Sequence, residues 1–104
     1  MEKLIVDGKV AVLVSRGFGA GWSTWMSDYP ECVFDPVLAQ MLIDGADEME
    51  IASVAQKRYP DGYIGGIDGL TVQWLPVGTK FRIDEYDGRE TIVEPNHLEW
   101  IEIK

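Results

Sequence analysis

The densest group of residues able to do chemistry lies at positions 15–29, reading Ser15-Arg16-Gly17-Phe18-Gly19-Ala20-Gly21-Trp22-Ser23-Thr24-Trp25 and on to Tyr29. Closely spaced glycines expose backbone N–H groups and let an anion approach the main chain. Arg16 could clamp a phosphate or carboxylate in the same place. Trp22, Trp25 and Tyr29 offer ring faces on which a base could stack. Gly17, Gly19 and Gly21 with these side chains are the ingredients of a site for a small anionic or nucleotide-like ligand. The spacing is G-x-G-x-G, however, which is neither the dinucleotide fingerprint nor a P-loop. The bland alternative is a wide turn shaped by the glycines and anchored to the core by the tryptophans. A second glycine-rich stretch, residues 62–69, could line the same pocket with Tyr63 and Asp68, or could simply connect two elements.

Other chemistries find less support. Cys32 and His97 are the only residues of their kinds, with no local motif around either, so a nucleophile–base pair and a zinc site are both disfavoured. Cys32 beside Val33 and Phe34 reads as a small core residue. The acids gather at Asp44, Asp47, Glu48 and Glu50 and again at Asp84, Glu85, Asp87 and Glu90. Neither group has the spacing of a calcium loop. They read as solvated surface or, alternatively, as carboxylates that imitate nucleic-acid phosphates. No cofactor is expected.

The charge of -9 argues against binding duplex nucleic acid or an anionic membrane surface. It leaves a basic protein partner open. A lone cysteine gives no sign of an oxidising compartment. The first eight residues carry acids and too short an apolar run for a secretion signal. No apolar stretch approaches the roughly 20 residues of a membrane-spanning helix. The expected location is the cytoplasm.

The elements that must position these residues follow from pattern. Residues 3–6 and 9–14 read as strands joined by the hairpin dipeptide Asp7-Gly8. The second run is apolar on both faces and should lie centrally. Asp35-Pro36 opens a helix carrying Val37, Leu38, Met41 and Leu42 on one stripe, and Gly45 closes it. Asp47 with Glu50 forms a candidate capping box for a second helix that ends near Pro60. Strands follow around residues 70–74, 81–84, 89–94 and 98–103, with Asp87-Gly88 as another hairpin turn. A two-residue turn there sets Glu85 opposite Glu90, a like-charge pairing that sheets disfavour. The expected fold is a single α+β domain: a mostly antiparallel sheet of five to six strands with two central helices.

The phrases V-A-V-L-V-S-R-G-F-G-A-G-W-S-T-W, F-D-P-V-L, R-Y-P-D-G-Y, G-T-K-F-R-I-D-E-Y-D-G and E-W-I-E-I resemble small uncharacterised proteins of bacteriophages and prophages. The resemblance brings no activity and no site residues. It implies an accessory factor that blocks a host component or sequesters a small molecule, working in the host cytoplasm. The leading expectation is therefore a non-enzymatic binding protein whose contact surface is Arg16, Gly17, Gly19, Gly21, Trp22, Trp25, Tyr29 and Tyr63. The alternatives are an acidic inhibitor docking on a basic nucleic-acid-binding protein, a small nucleotide-acting enzyme, and a self-assembling structural protein, since a homo-oligomer is compatible with the sequence.

Overall fold

Strand-forming residues on either side of Asp7-Gly8 make the first hairpin. In the computed structural model, which describes residues 2–95, β1 (Ile5–Val6) pairs antiparallel with β2 (Lys9–Ser15). Asp7 and Gly8 take φ of 52° and 77°, the left-handed pair that a two-residue turn of this hand requires. The other edge of β2 pairs over its whole length with β3 (Leu70–Pro76), from Lys9↔Pro76 to Ser15↔Leu70. Residues 10–14 of β2 are all buried, as expected of a central strand covered on both faces.

The helices cover one of those faces. Asp35 caps α1 (Pro36–Ile43), its Oδ1 accepting from the Val37 and Leu38 N–H groups at 2.9 and 3.1 Å. Proline at the first helical position costs no hydrogen bond. Gly45, at φ 75°, follows the helix end. Asp47 precedes α2 (Glu48–Arg58) in an extended conformation, but its side chain makes no capping bond, so the expected capping box does not form. Leu38 and Ala39 of α1, with Ile51 and Ala55 of α2, pack on Ala11 and Leu13 of β2 in one core that also holds Trp22, Cys32 and Tyr59.

The α+β class is as expected, whereas the single sheet is not. β4 (Arg82–Tyr86) and β5 (Arg89–Val93) form a separate two-stranded sheet beside the three-stranded order β1-β2-β3. At the end of β3 the pairing with β2 runs on into the first hairpin's turn. The Val77 N–H bonds the Gly8 carbonyl at 2.9 Å, and the Thr79 N–H returns to Pro76 at 3.1 Å. The strand expected at 98–103 lies outside the described residues. Among the described residues no helix is long and apolar enough to cross a membrane.

Candidate functional site

The loop leaving β2 is an ordered structure fastened at several points. The Arg16 N–H bonds the Gly69 carbonyl at 2.8 Å, and the Gly19 N–H bonds the Asp87 carbonyl. The two glycine-rich stretches do meet, as the sequence suggested, but backbone to backbone. A Cβ at Gly66 would run into the main chain of Gly21, and one at Gly69 into that of Gly17. These glycines serve close approach, and the junction leaves no room for a ligand between them.

The centre of the loop is a buried carboxylate that sequence reading assigned to solvated surface. Glu90, on β5, is fully enclosed. Its Oε1 accepts the Ser15 N–H at 2.8 Å. Its Oε2 accepts the Trp22 N–H at 2.9 Å, the Thr24 N–H at 3.1 Å and the Thr24 hydroxyl at 2.5 Å. An ionised carboxyl can accept about four such bonds, and here they come from the loop that was expected to bind an anion. The loop is an anion cradle, and its anion is the protein's own.

The pairing Glu85↔Glu90 forms as the turn geometry demands. Two like charges share one face of the hairpin because each has its own donors. Glu85 accepts the Trp25 indole N–H at 3.1 Å and the Gly88 N–H at 2.7 Å. One cross-strand pair thus holds both ends of the Trp22–Trp25 segment. The mismatch between Glu85 and Glu90 in the sequence was the available signal that this pair had partners elsewhere.

The aromatic residues divide between interior and surface. Trp22 is wholly buried, donates its indole N–H to the Cys32 carbonyl at 2.9 Å, and meets Tyr59 edge-on at 6.1 Å. It has no free face, so its expected stacking role is replaced by an anchoring one. Tyr29 is half-buried against Tyr59 at 5.2 Å. Trp25 and Tyr63 remain exposed and pack on each other at 5.4 Å and 42°. Trp25, Tyr29 and Tyr63 line a cavity of about 120 Å³ together with Met26, Asp28 and Asp61. Arg16, Gly17, Gly19 and Gly21 do not line it. Arg16 is exposed, and the neighbouring Phe18 ring lies under the Arg89 guanidinium at 5.6 Å.

A second buried carboxylate, Asp35, sits below the loop. Beyond capping α1 it pairs with Arg58 Nε at 2.7 Å and accepts the Tyr59 hydroxyl. This hydrogen bond to Asp35 raises the Arg58 pKa. Burial, then the hydrogen bond to Asp35, pushes the Tyr59 phenol up. Burial also pushes the Cys32 thiol up to about 12, reinforced by the charges of Glu90, Glu31 and Asp35. A thiol so far from ionising is no nucleophile near neutrality. His97 lies outside the described residues.

The arrangement therefore offers one solvent-facing feature, an aromatic pair flanked by two carboxylates, standing on a rigid cradle. Neither family models, curated proteins nor solved structures give a match to this chain.

Proposed function

We propose that the chain is a non-enzymatic binding protein that docks on a basic protein partner through the outer edge of the Gly-aromatic loop. The observation that carries this reading is the exposed Trp25–Tyr63 pair set beside Asp28 and Asp61, with no cationic side chain among the described residues lining the cavity. Ring faces and carboxylates together favour a lysine or arginine side chain. The size agrees. Pockets for whole small molecules run from about 300 to 1,000 Å³, and this cavity of about 120 Å³ suits one side chain. The charge of -9 would steer a basic partner toward the protein.

A small anionic ligand fits the loop less well, because Glu90 already takes the Ser15, Trp22 and Thr24 N–H groups and Arg16 stands apart from the aromatic cavity. An accessory factor that occupies the basic groove of a host nucleic-acid-binding protein would use such a face. Titration with an oligo-arginine peptide at low and high salt tests the reading. Binding should weaken with salt and be lost in a Trp25→Ala, Tyr63→Ala double variant whose circular dichroism is unchanged. Undiminished binding by that variant would refute the assignment.

A further inference from the structure

The face of β2 turned away from the helices carries a second feature, sharing no residue with the aromatic cavity. Side chains alternate along a strand, so Ala11 and Leu13 enter the helix-covered core while Val10 and Val12, 8% and 0% exposed, form the closed back of a groove on the other face. Phe34 and Phe81 wall it, and Ile5 and Val77 stand at its mouth. The groove holds about 320 Å³, at the lower end of the range for small-ligand sites. Ile5 and Val77 are 52% and 60% exposed, leaving apolar surface in water where a ligand would cover it.

Among the described residues, one charged side chain lines this groove. Lys3 holds its ammonium 4.9 Å from the centre of the Phe34 ring. Among the described residues it forms no ion pair, the ion pairs there being Arg58–Asp35 and Arg82–Asp84. The other side-chain polar group of the lining, the Thr79 hydroxyl, is taken by the Pro76 carbonyl at 2.6 Å. Among the described residues the groove therefore presents apolar walls and, at its edge, one cation without an ion pair. A nucleotide or sugar would leave most of its polar groups unmatched there.

We propose that this groove binds a medium-chain aliphatic carboxylate, with the alkyl chain against Ile5, Phe34, Val77 and Phe81 and the carboxylate at Lys3. The chain must supply most of the affinity, because an exposed ion pair contributes little and the protein's net charge of -9 repels anions in general. Short carboxylates such as acetate should consequently not bind. The Lys3 ammonium sets the polarity of the head group, discriminating carboxylate from ammonium.

Calorimetric titration of the full chain with hexanoate, octanoate, decanoate, decanol and decylammonium tests this. Affinity should rise by up to about fourfold for each methylene buried. Decanoate should bind more tightly than decylammonium. Lys3→Glu should weaken decanoate about five- to tenfold while leaving decanol within about twofold. Because Lys3 is exposed, that variant is expected to fold, and an unchanged melting curve checks it. No decanoate binding below its micelle concentration, an affinity independent of chain length, or indifference of decanoate to Lys3→Glu would each overturn the proposal. None of these results bears on Trp25 and Tyr63, so the docking face stands or falls separately.

Discussion

Glu90 and Asp35 are both fully buried carboxylates, yet the protein holds them by different means. Asp35 has a cation, with Arg58 Nε at 2.7 Å, besides the phenol of Tyr59 and two N–H groups at the start of α1. Glu90 has hydrogen-bond donors and, among the described residues, no ion pair, and three of its four bonds come from backbone N–H or hydroxyl groups of Trp22 and Thr24. The comparison separates two ways of stabilising a buried charge. One uses an opposite charge within reach of solvent, and the other uses oriented dipoles in the interior. The second is the arrangement by which loops bind phosphate, here turned inward to close a loop onto a hairpin.

Removing Glu90 should therefore do the most damage. Glu90→Ala leaves the N–H groups of Ser15, Trp22 and Thr24 without their acceptor, two of them fully buried. Each stranded donor costs about 1–3 kcal/mol. We expect a loss of about 3–5 kcal/mol, a large part of the roughly 5–15 kcal/mol that a domain possesses. Urea denaturation measures it, and a loss under about 1 kcal/mol would mean that the cradle is not what orders the loop. Asp35→Ala should come next, at about 2–4 kcal/mol. It removes a helix cap and the Tyr59 partner, but the Arg58 side chain, 31% exposed, can turn its charge to water.

How much of this was legible in the sequence depends on the range of each interaction. Asp35 was found as a cap because its donors lie two and three residues away. Both hairpins were legible because Asp7-Gly8 and Asp87-Gly88 encode their turns in a dipeptide. The role of Glu90 was hidden because Ser15 lies 75 positions before it; the like-charge pairing with Glu85 hinted at partners elsewhere but could not name them. The Gly-aromatic loop reads in sequence as suited to an anion, and in the structure Glu90 takes the Ser15, Trp22 and Thr24 N–H groups. Trp22 and Trp25 look equivalent in sequence, and only the fold sends one to the core and the other to the surface. The division into two sheets is set by which strands pair across the fold, again beyond any local pattern.

Cys32 lies near both carboxylates and can report on them. Its thiol is raised from the ordinary 9.0 to about 12, with burial the main cause and the charges of Glu90, Glu31 and Asp35 following in that order. A folded-state pKa above the unfolded one favours the protonated form, so the stability it confers is complete below about pH 9 and is lost as pH rises toward 12. Tyr59 shifts in the same direction and adds to the trend. The melting temperature should be level from neutrality to about pH 8.5 and fall above it. Thiol alkylation in the native protein should be slow across that level range. Glu90→Gln should speed alkylation more than Asp35→Asn does, since the Glu90 charge opposes the thiolate more strongly. The reverse order would show that the two carboxylates have been ranked wrongly.

The smallest expected effect is also the sharpest test of the comparison. Arg58→Ala removes the one cation that distinguishes the two sites. Deleting one partner of a buried ion pair commonly costs about 3–5 kcal/mol, because it strands a charge. Asp35 would not be stranded in that sense. It keeps the Val37 and Leu38 N–H groups and the Tyr59 hydroxyl, three donors where Glu90 lives with four and no cation. If oriented donors suffice, Arg58→Ala should cost only about 1 kcal/mol, much of it loss of a partly exposed ion pair whose contribution salt would screen. A salt titration of the wild-type protein should then show a correspondingly small decline in stability. A loss near that of Asp35→Ala would instead mean that the cation is essential to Asp35. The self-sufficiency of Glu90 would then rest on its fourth donor, the Thr24 hydroxyl at 2.5 Å, and Thr24→Val should destabilise the loop as severely as Arg58→Ala destabilises the helix pair.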